Sequence, residues 1–291
     1  MKSKQNIATF FAILAATLYA INSPFSKLLL KKIPPTMMAA LLYLGAGIGL
    51  LIVGLFQKKM GKQQNEASLT KKDLPFTIGM VILDIAAPIF LMIGLSMTTA
   101  ANASLLNNFE IVATAMIALC IFKESISKRL WLSIALVTIA SVLLSIEDMS
   151  SFSFSYGSIF VILACVCWGF ENNCTRMISA KNPLQIVVIK GFFSGLGSLV
   201  IAFILGETTT NVWYILAALL LGFVAYGLSI FFYIYAQREL GAAKTSAYYA
   251  VAPFIGVILS LVIFKEVPGL YFVLAVVIMI GGTYFAATDC K

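Results

Sequence analysis

Ten apolar runs, each close to a membrane span in length and joined by short connectors, leave this chain one solvent to fold in: lipid. They lie at 7–29, 36–56, 75–97, 101–122, 128–146, 157–178, 184–205, 212–235, 242–264 and 268–287. A hydrocarbon core about 30 Å thick takes roughly 20 residues of α-helix to cross, and within it only helices or closed barrels satisfy their own backbone groups. The expected fold is an all-α membrane protein of ten transmembrane helices, with no room in 291 residues for a separate soluble domain. Composition agrees, since 61% of residues are hydrophobic and 11% charged, against about 25% charged in soluble domains. The first run follows Lys2 and Lys4 and reads as a retained helix, because no small-residue cleavage site precedes the next nine runs.

The formal net charge of +8 does not mark a nucleic-acid binder, because the basic residues sit in connectors beside apolar runs, where they set orientation. With the N-terminus inside, fifteen Lys and Arg fall on the cytoplasmic face, and four (Lys27, Lys31, Lys32, Lys265) fall outside. Both termini are therefore expected in the cytoplasm and the chain in the cytoplasmic membrane. The stretch from Gln57 to Leu74, with Lys58, Lys59, Lys62, Lys71 and Lys72, reads as a solvated connector. The chain has no His, and Cys120, Cys165, Cys167 and Cys174 lie inside apolar runs without metal-ligand spacing. No phosphate-binding loop or nucleophile with a base is visible. No catalytic residue, metal or cofactor is expected, and any transport would draw on a gradient rather than on ATP.

The chain repeats itself. Residues 13–34 overlay 162–183 without a gap, setting Ile13-Leu14-Ala15 on Ile162-Leu163-Ala164, Tyr19 on Trp168, Lys27 on Arg176 and Pro34 on Pro183, at an offset of 149. Further on, Ile121-Phe122-Lys123-Glu124 matches Ile263-Phe264-Lys265-Glu266, and Ala101 and Ser104 match Ala243 and Ser246, at an offset of 142. The longer Lys-rich connector of the first half absorbs the difference. The division falls at 1–148 and 149–291, five helices each. Because five is odd, the second copy must enter the membrane from the opposite side, giving an inverted-topology repeat, a construction of secondary transporters with the substrate near the midplane. The alternatives are a polytopic membrane enzyme acting on lipids, which should show catalytic residues clustered at one membrane face, and a scaffold that transports nothing.

Each half opens with an aromatic-small-x-polar element, Tyr19-Ala20-Ile21-Asn22 and Trp168-Gly169-Phe170-Glu171, and closes on a hairpin broken at Phe122-Lys123-Glu124 and Phe264-Lys265-Glu266. In these features the chain resembles the EamA-type transporters of the drug/metabolite transporter superfamily. The resemblance implies alternating access by two inverted halves, working as a monomer or homodimer in the lipid bilayer. It also implies a small metabolite substrate such as an amino acid, with export favoured over import and protons as a candidate coupling ion. Two departures stand out: Lys123 and Lys265 occupy places where Gly is usual, and the fourth helix reads Glu110-Ile111-Val112 where the family often has Glu-Pro. The ninth keeps Ala252-Pro253-Phe254, so of these two helices only the ninth is expected to kink.

Ionisable side chains inside a membrane are costly and mark function by default. There are four: Asp84, Glu110, Glu171 and Lys190. Counting along helices at 1.5 Å per residue places Asp84 and Glu110 about 13 and 18 Å deep, near the midplane, and Glu171 and Lys190 both at about 10 Å. Glu171 and Lys190 are expected to pair. Asp84 and Glu110, without a base at their depth, are expected to favour the protonated form and to serve proton coupling or a cationic substrate group. Around them Asn107, Glu110 and Thr114 share a helix face, as do Tyr226, Ser229 and Tyr233, and Ser246, Tyr249 and Pro253. Asn22 and Ser23 precede Pro24, and Glu171 and Asn172 hold the matching places in the second half. The candidate substrate-binding set is Asn22, Ser23, Asn107, Glu110, Trp168, Glu171, Asn172, Tyr226 and Tyr249. Gly281 and Gly282 are expected as close-packing points.

Overall fold

The computed structural model describes residues 2–60, 67–123, 125–148, 153–178, 180–240 and 248–288. Apolar runs become helices because hydrocarbon offers the backbone no other partner. The helices are α1 (Lys2–Ala20), α2 (Asn22–Leu29), α3 (Pro35–Lys59), α4 (Leu74–Met97), α5 (Ala100–Leu106), α6 (Phe109–Cys120), α7 (Lys128–Ser145), α8 (Tyr156–Ile178), α9 (Pro183–Ile204), α10 (Val212–Gly222), α11 (Ser229–Leu240), α12 (Ala252–Phe264) and α13 (Leu270–Ala287). A π-helical stretch, Phe223–Leu228, joins α10 to α11. A two-stranded ribbon of β1 (Ile146–Asp148) and β2 (Ser153–Phe154) links α7 to α8. Among the described residues nine helical spans are long and apolar enough to cross a bilayer, and α12 is a shorter apolar helix of 13 residues.

Most expected boundaries hold within a few residues, but three spans are interrupted. The first run breaks at Ile21, between α1 and α2. Pro24 has no amide hydrogen, so the Ala20 carbonyl loses its helical donor; it faces Gly256, where an added Cβ would stand 3.2 Å from that oxygen. The fourth run, expected to be unbroken, parts at Asn107 and Asn108 without any proline. There the amides of Asn108, Glu110 and Ile111 bond three residues back, to Leu105, Asn107 and Asn108, and the Asn108 carboxamide donates to the Leu105 carbonyl at 3.3 Å. A short amide side chain competing for backbone partners does what proline does elsewhere. In the ninth run Tyr248 and Tyr249 are helical, a turn at Ala250 and Val251 follows, and α12 starts at Ala252 with Pro253 in its first turn. Lys62, Glu124, Ala243, Lys244, Ser246 and Lys291 lie outside the described residues.

The most extensive helix contacts pair α4 with α8, α3 with α9, α7 with α13 and α1 with α11, followed by α6 with α8, α3 with α10 and α5 with α12. Every one of these joins residues before 148 to residues after 149. Small residues let the backbones meet. A Cβ on Gly191 would stand 2.4 Å from the Gly47 nitrogen, and one on Gly94 would stand 2.6 Å from the Gly157 carbonyl oxygen. In α13, Gly282 presses on Val137 (2.8 Å from an added Cβ), whereas Gly281 makes only an ordinary contact with Leu136 at 3.8 Å. Helix ends are tied by side chains: Lys27 Nζ donates to the carbonyls of Leu95, Ser96 and Thr98 at 2.6, 3.1 and 2.7 Å, and Glu207 accepts from Thr36 Oγ1 and the Met37 amide at 3.1 and 2.9 Å. The Lys-rich connector is less free than expected: α3 runs on to Lys59, and residues 67–73 dock on the α8–α9 turn through Asn182 N to Ala67 O (2.9 Å) and Lys181 to Asp73 (3.3 Å).

Candidate functional site

Four of these helices bring together a closed charge cluster. Lys190 on α9 places Nζ 2.9 Å from Glu171 Oε1 on α8 and 3.1 Å from Asp84 Oδ2 on α4, the latter without an aligned hydrogen bond. Glu171 Oε1 also accepts from the Thr175 hydroxyl one turn on. Tyr43 on α3 donates to Asp84 Oδ1 at 2.9 Å, and its hydroxyl accepts from Trp168 Nε1 at 3.4 Å. Asp84, Glu171 and Lys190 are 0, 2 and 9% exposed, so the cluster is sealed. The expectation that Asp84 lacks a basic partner is corrected: one ammonium serves both carboxylates. Counting depth along straight helices missed it, because a lysine's four-carbon stem reaches well beyond its own level.

Glu110 stands apart from that cluster. Its Oε1 accepts from Asn172 Nδ2 at 2.6 Å, and the same amide reaches Thr114 Oγ1 at 3.3 Å. Asn173 ties α8 to the same place by donating to the Thr114 and Gly169 carbonyls at 3.2 and 2.8 Å. The described salt bridges leave Glu110 without a basic partner. Unlike the cluster it is only partly buried, as are Thr114 and Asn172 beside it.

An aromatic group lies alongside. Tyr19 meets Tyr226 edge-on and Tyr249 at a tilt, both with ring centroids 5.9 Å apart; Tyr233 meets Tyr249 at 5.0 Å, and Tyr226 meets Tyr43 at 5.2 Å. Tyr226 belongs to the π-helical stretch, a distortion common at functional sites.

The remaining candidates divide between the two regions. Asn22 is buried with both ends occupied, donating to Tyr226 Oη and accepting from Ser26 Oγ, each at 3.0 Å. Ser23 is buried beside it. Ser229 donates to the Ala15 carbonyl at 2.9 Å and lies 3.2 Å from Tyr249 Oη. Asn107, at the break in the fourth span, is buried with Oδ1 unpartnered. Sequence reasoning misses Tyr43 as a candidate site residue, although a hydroxyl midway through an otherwise apolar run is its signal. A cavity of about 470 Å³ lies elsewhere, between α5, the end of α7 and the start of α13, with Thr99, Asn102 and Glu266 on its wall. It does not reach Glu110 or the sealed cluster.

The apolar helical spans make this a multi-pass membrane protein. The EamA-like transporter family matches residues 6–146 and again 155–288, and the chain belongs to that family. It is 26% identical to an "Uncharacterized transporter" of Methanothermobacter thermautotrophicus over 272 residues, covering 88% of this chain and 79% of that one. It is 23% identical to the Bacillus subtilis "Uncharacterized transporter YyaM", covering 80% of this chain and 78% of the other. A solved protein crystal structure superposes with a TM-score of 0.67 over 96% of this chain and 95% of that chain at 17% identity, a likeness of fold.

Proposed function

We propose that the chain is a ten-span secondary transporter of a small polar metabolite, alternating access between inverted halves at 1–148 and 149–291. Counting interrupted helices as single spans, adding five to each span number turns the pairing of α4 with α8 into that of α11 with α1. It maps the pairings of α3 with α9, α5 with α12 and α7 with α13 onto themselves. A twofold axis between the halves has this signature, and five spans per half, an odd number, would put that axis in the membrane plane; the exchange of pairings is the observation that carries the reading. Two successive family matches along the chain support it too. The positive-inside count supports cytoplasmic termini in the cell membrane.

Substrate would sit at Glu110, Asn172, Thr114 and the tyrosines, where the polar side chains are partly exposed, with the sealed cluster as structural support. A carboxylate in hydrocarbon demands a proton or another cation, so Glu110 is the proton-coupling residue and Asp84 is not. Export then follows an inward proton gradient. Counterflow in proteoliposomes tests transport itself: saturable exchange of internal and external metabolite is expected, and leak without saturation rules it out. An imposed pH gradient should alter wild-type flux and leave Glu110→Gln flux unchanged; the same response in both sinks the proton role.

A further inference from the structure

We propose that the connectors 67–73 and 205–211 are the two gates of transport: each clasps the first turn of the opposite half's second span, at opposite ends of the bundle, and the cycle releases them in turn. This rests on alternating access between the two halves.

The overlay of the halves at an offset of 149 continues from Pro34 and Pro183 to Thr36 and Gln185, in the first turns of α3 and α9. Each of these matched side chains is engaged by a connector of the other half. Gly206, with a φ of 73°, turns the chain at the end of α9, and the Glu207 amide bonds back to the Ala202 carbonyl. Glu207 then grips α3 with both oxygens, Oε1 accepting from Thr36 Oγ1 at 3.1 Å and Oε2 from the Met37 amide at 2.9 Å. The helix needs that hold, because Pro34 at its N-cap has no side-chain acceptor for the orphan amides of the first turn. At the other end Gln185 Oε1 accepts from the Leu69 amide at 3.0 Å, the Asn182 amide donates to the Ala67 carbonyl, and Asp73 pairs with Lys181. Leu69 also packs against the buried Met80, Ile178 and Ile186.

Between the clasps α3 and α9 touch at Gly47 and Gly191, about 18 Å from the start of α3 and about 12 Å from the start of α9. The two helices run antiparallel, since Leu44 meets Gly195 and Leu184 meets Gly54. Backbones in contact at the middle are costly to part. The ends are held by a few hydrogen bonds on the partly exposed Glu207 and Gln185, which are cheap to open. That is the layout of a rocker with a catch at each end. Both catches are closed in the structure, the state between two openings.

Thr114→Cys, in the full-length protein freed of its native cysteines, reports which end is open, because Thr114 is partly exposed and shares the Asn172 amide with Glu110. A membrane-impermeant cationic methanethiosulfonate is applied to right-side-out and to inside-out vesicles, and the two labelling rates are compared. Under the orientation argued from Lys and Arg, Glu207 guards the outside. Glu207→Ala should raise the outside-to-inside ratio of rates about tenfold or more, the worth of hydrogen bonds to a charged group. Glu207→Gln, which keeps an acceptor, should raise it less. Gln185→Ala should lower the ratio roughly two- to tenfold, and the double variant of Glu207→Ala with Gln185→Ala should lie between the two singles. Braces that serve only stability would lower the melting midpoint and leave the ratio alone. A ratio unmoved by either single variant, or moved the same way by both, overturns the gates, while labelling of the parent from both sides still upholds alternating access. Labelling of parent and variants from one side only removes alternating access itself, and the gates with it.

Discussion

Lys123 and Lys265 have φ values of 55° and 53°, the left-handed region that side chains with a Cβ avoid. They are the residues that stand where the family usually has Gly, and their backbone shows why Gly is used: each follows a helix that must stop at once. Lys123→Gly and Lys265→Gly should each stabilise the protein by roughly 0.5–1 kcal/mol, read as a higher midpoint in detergent melts; a lower midpoint for both would mean that the lysine contacts outweigh the strain. A second residue-scale prediction concerns Lys190. Lys190→Met leaves two buried carboxylates facing each other and should cost ~3–5 kcal/mol, while the triple variant with Asp84→Asn and Glu171→Gln should recover most of the loss. Additive losses across that cycle would refute a shared ion cluster. The sequence carried these residues as isolated intramembrane charges and, for Glu171 and Lys190, as matched depths. It could not carry Asp84's share in the lysine, because that depends on how α4 leans against α9.

At the level of elements, what was legible was length and polarity: the runs and their connectors follow from 1.5 Å per residue against hydrocarbon thickness. Less legible were the interruptions. Pro24 and Pro253 announce theirs, but the break at Asn107–Asn108 arises from side-chain competition for carbonyls, and the π-helical stretch at Phe223–Leu228 has no local sequence signal that we recognise. The crossing of α3 and α9 gives a sharp test. With Gly47 and Gly191 in backbone contact, Gly191→Ala should prevent the two helices from closing and lower stability by at least ~1–3 kcal/mol, whereas Gly269→Ala, with open space around its Cβ position, should change it little. Similar melts for the two variants would mean that the helices can separate without penalty.

For the whole molecule, the inverted arrangement predicts opposite sides for the two matched hairpin connectors. Cysteines placed at Lys123 and Lys265 in an otherwise Cys-free variant should label from the cytoplasm and from outside, respectively. Labelling of both from one face would remove the inverted topology and the orientation argued from Lys and Arg.

The cross-half contacts have another consequence. All the largest interfaces join the two halves, so the chain is one covalent molecule with the contact pattern of an intertwined dimer. A protease site inserted at 149–152 should therefore cut the chain without separating it: the two fragments should remain together through purification. Each fragment expressed alone should lack the surface it needs to fold, so that co-expression restores what neither gene piece can make by itself. A duplicated gene of this kind gains a fixed one-to-one supply of unlike halves, free to place an acid in one and an alanine at its counterpart, as Glu110 and Ala252 do.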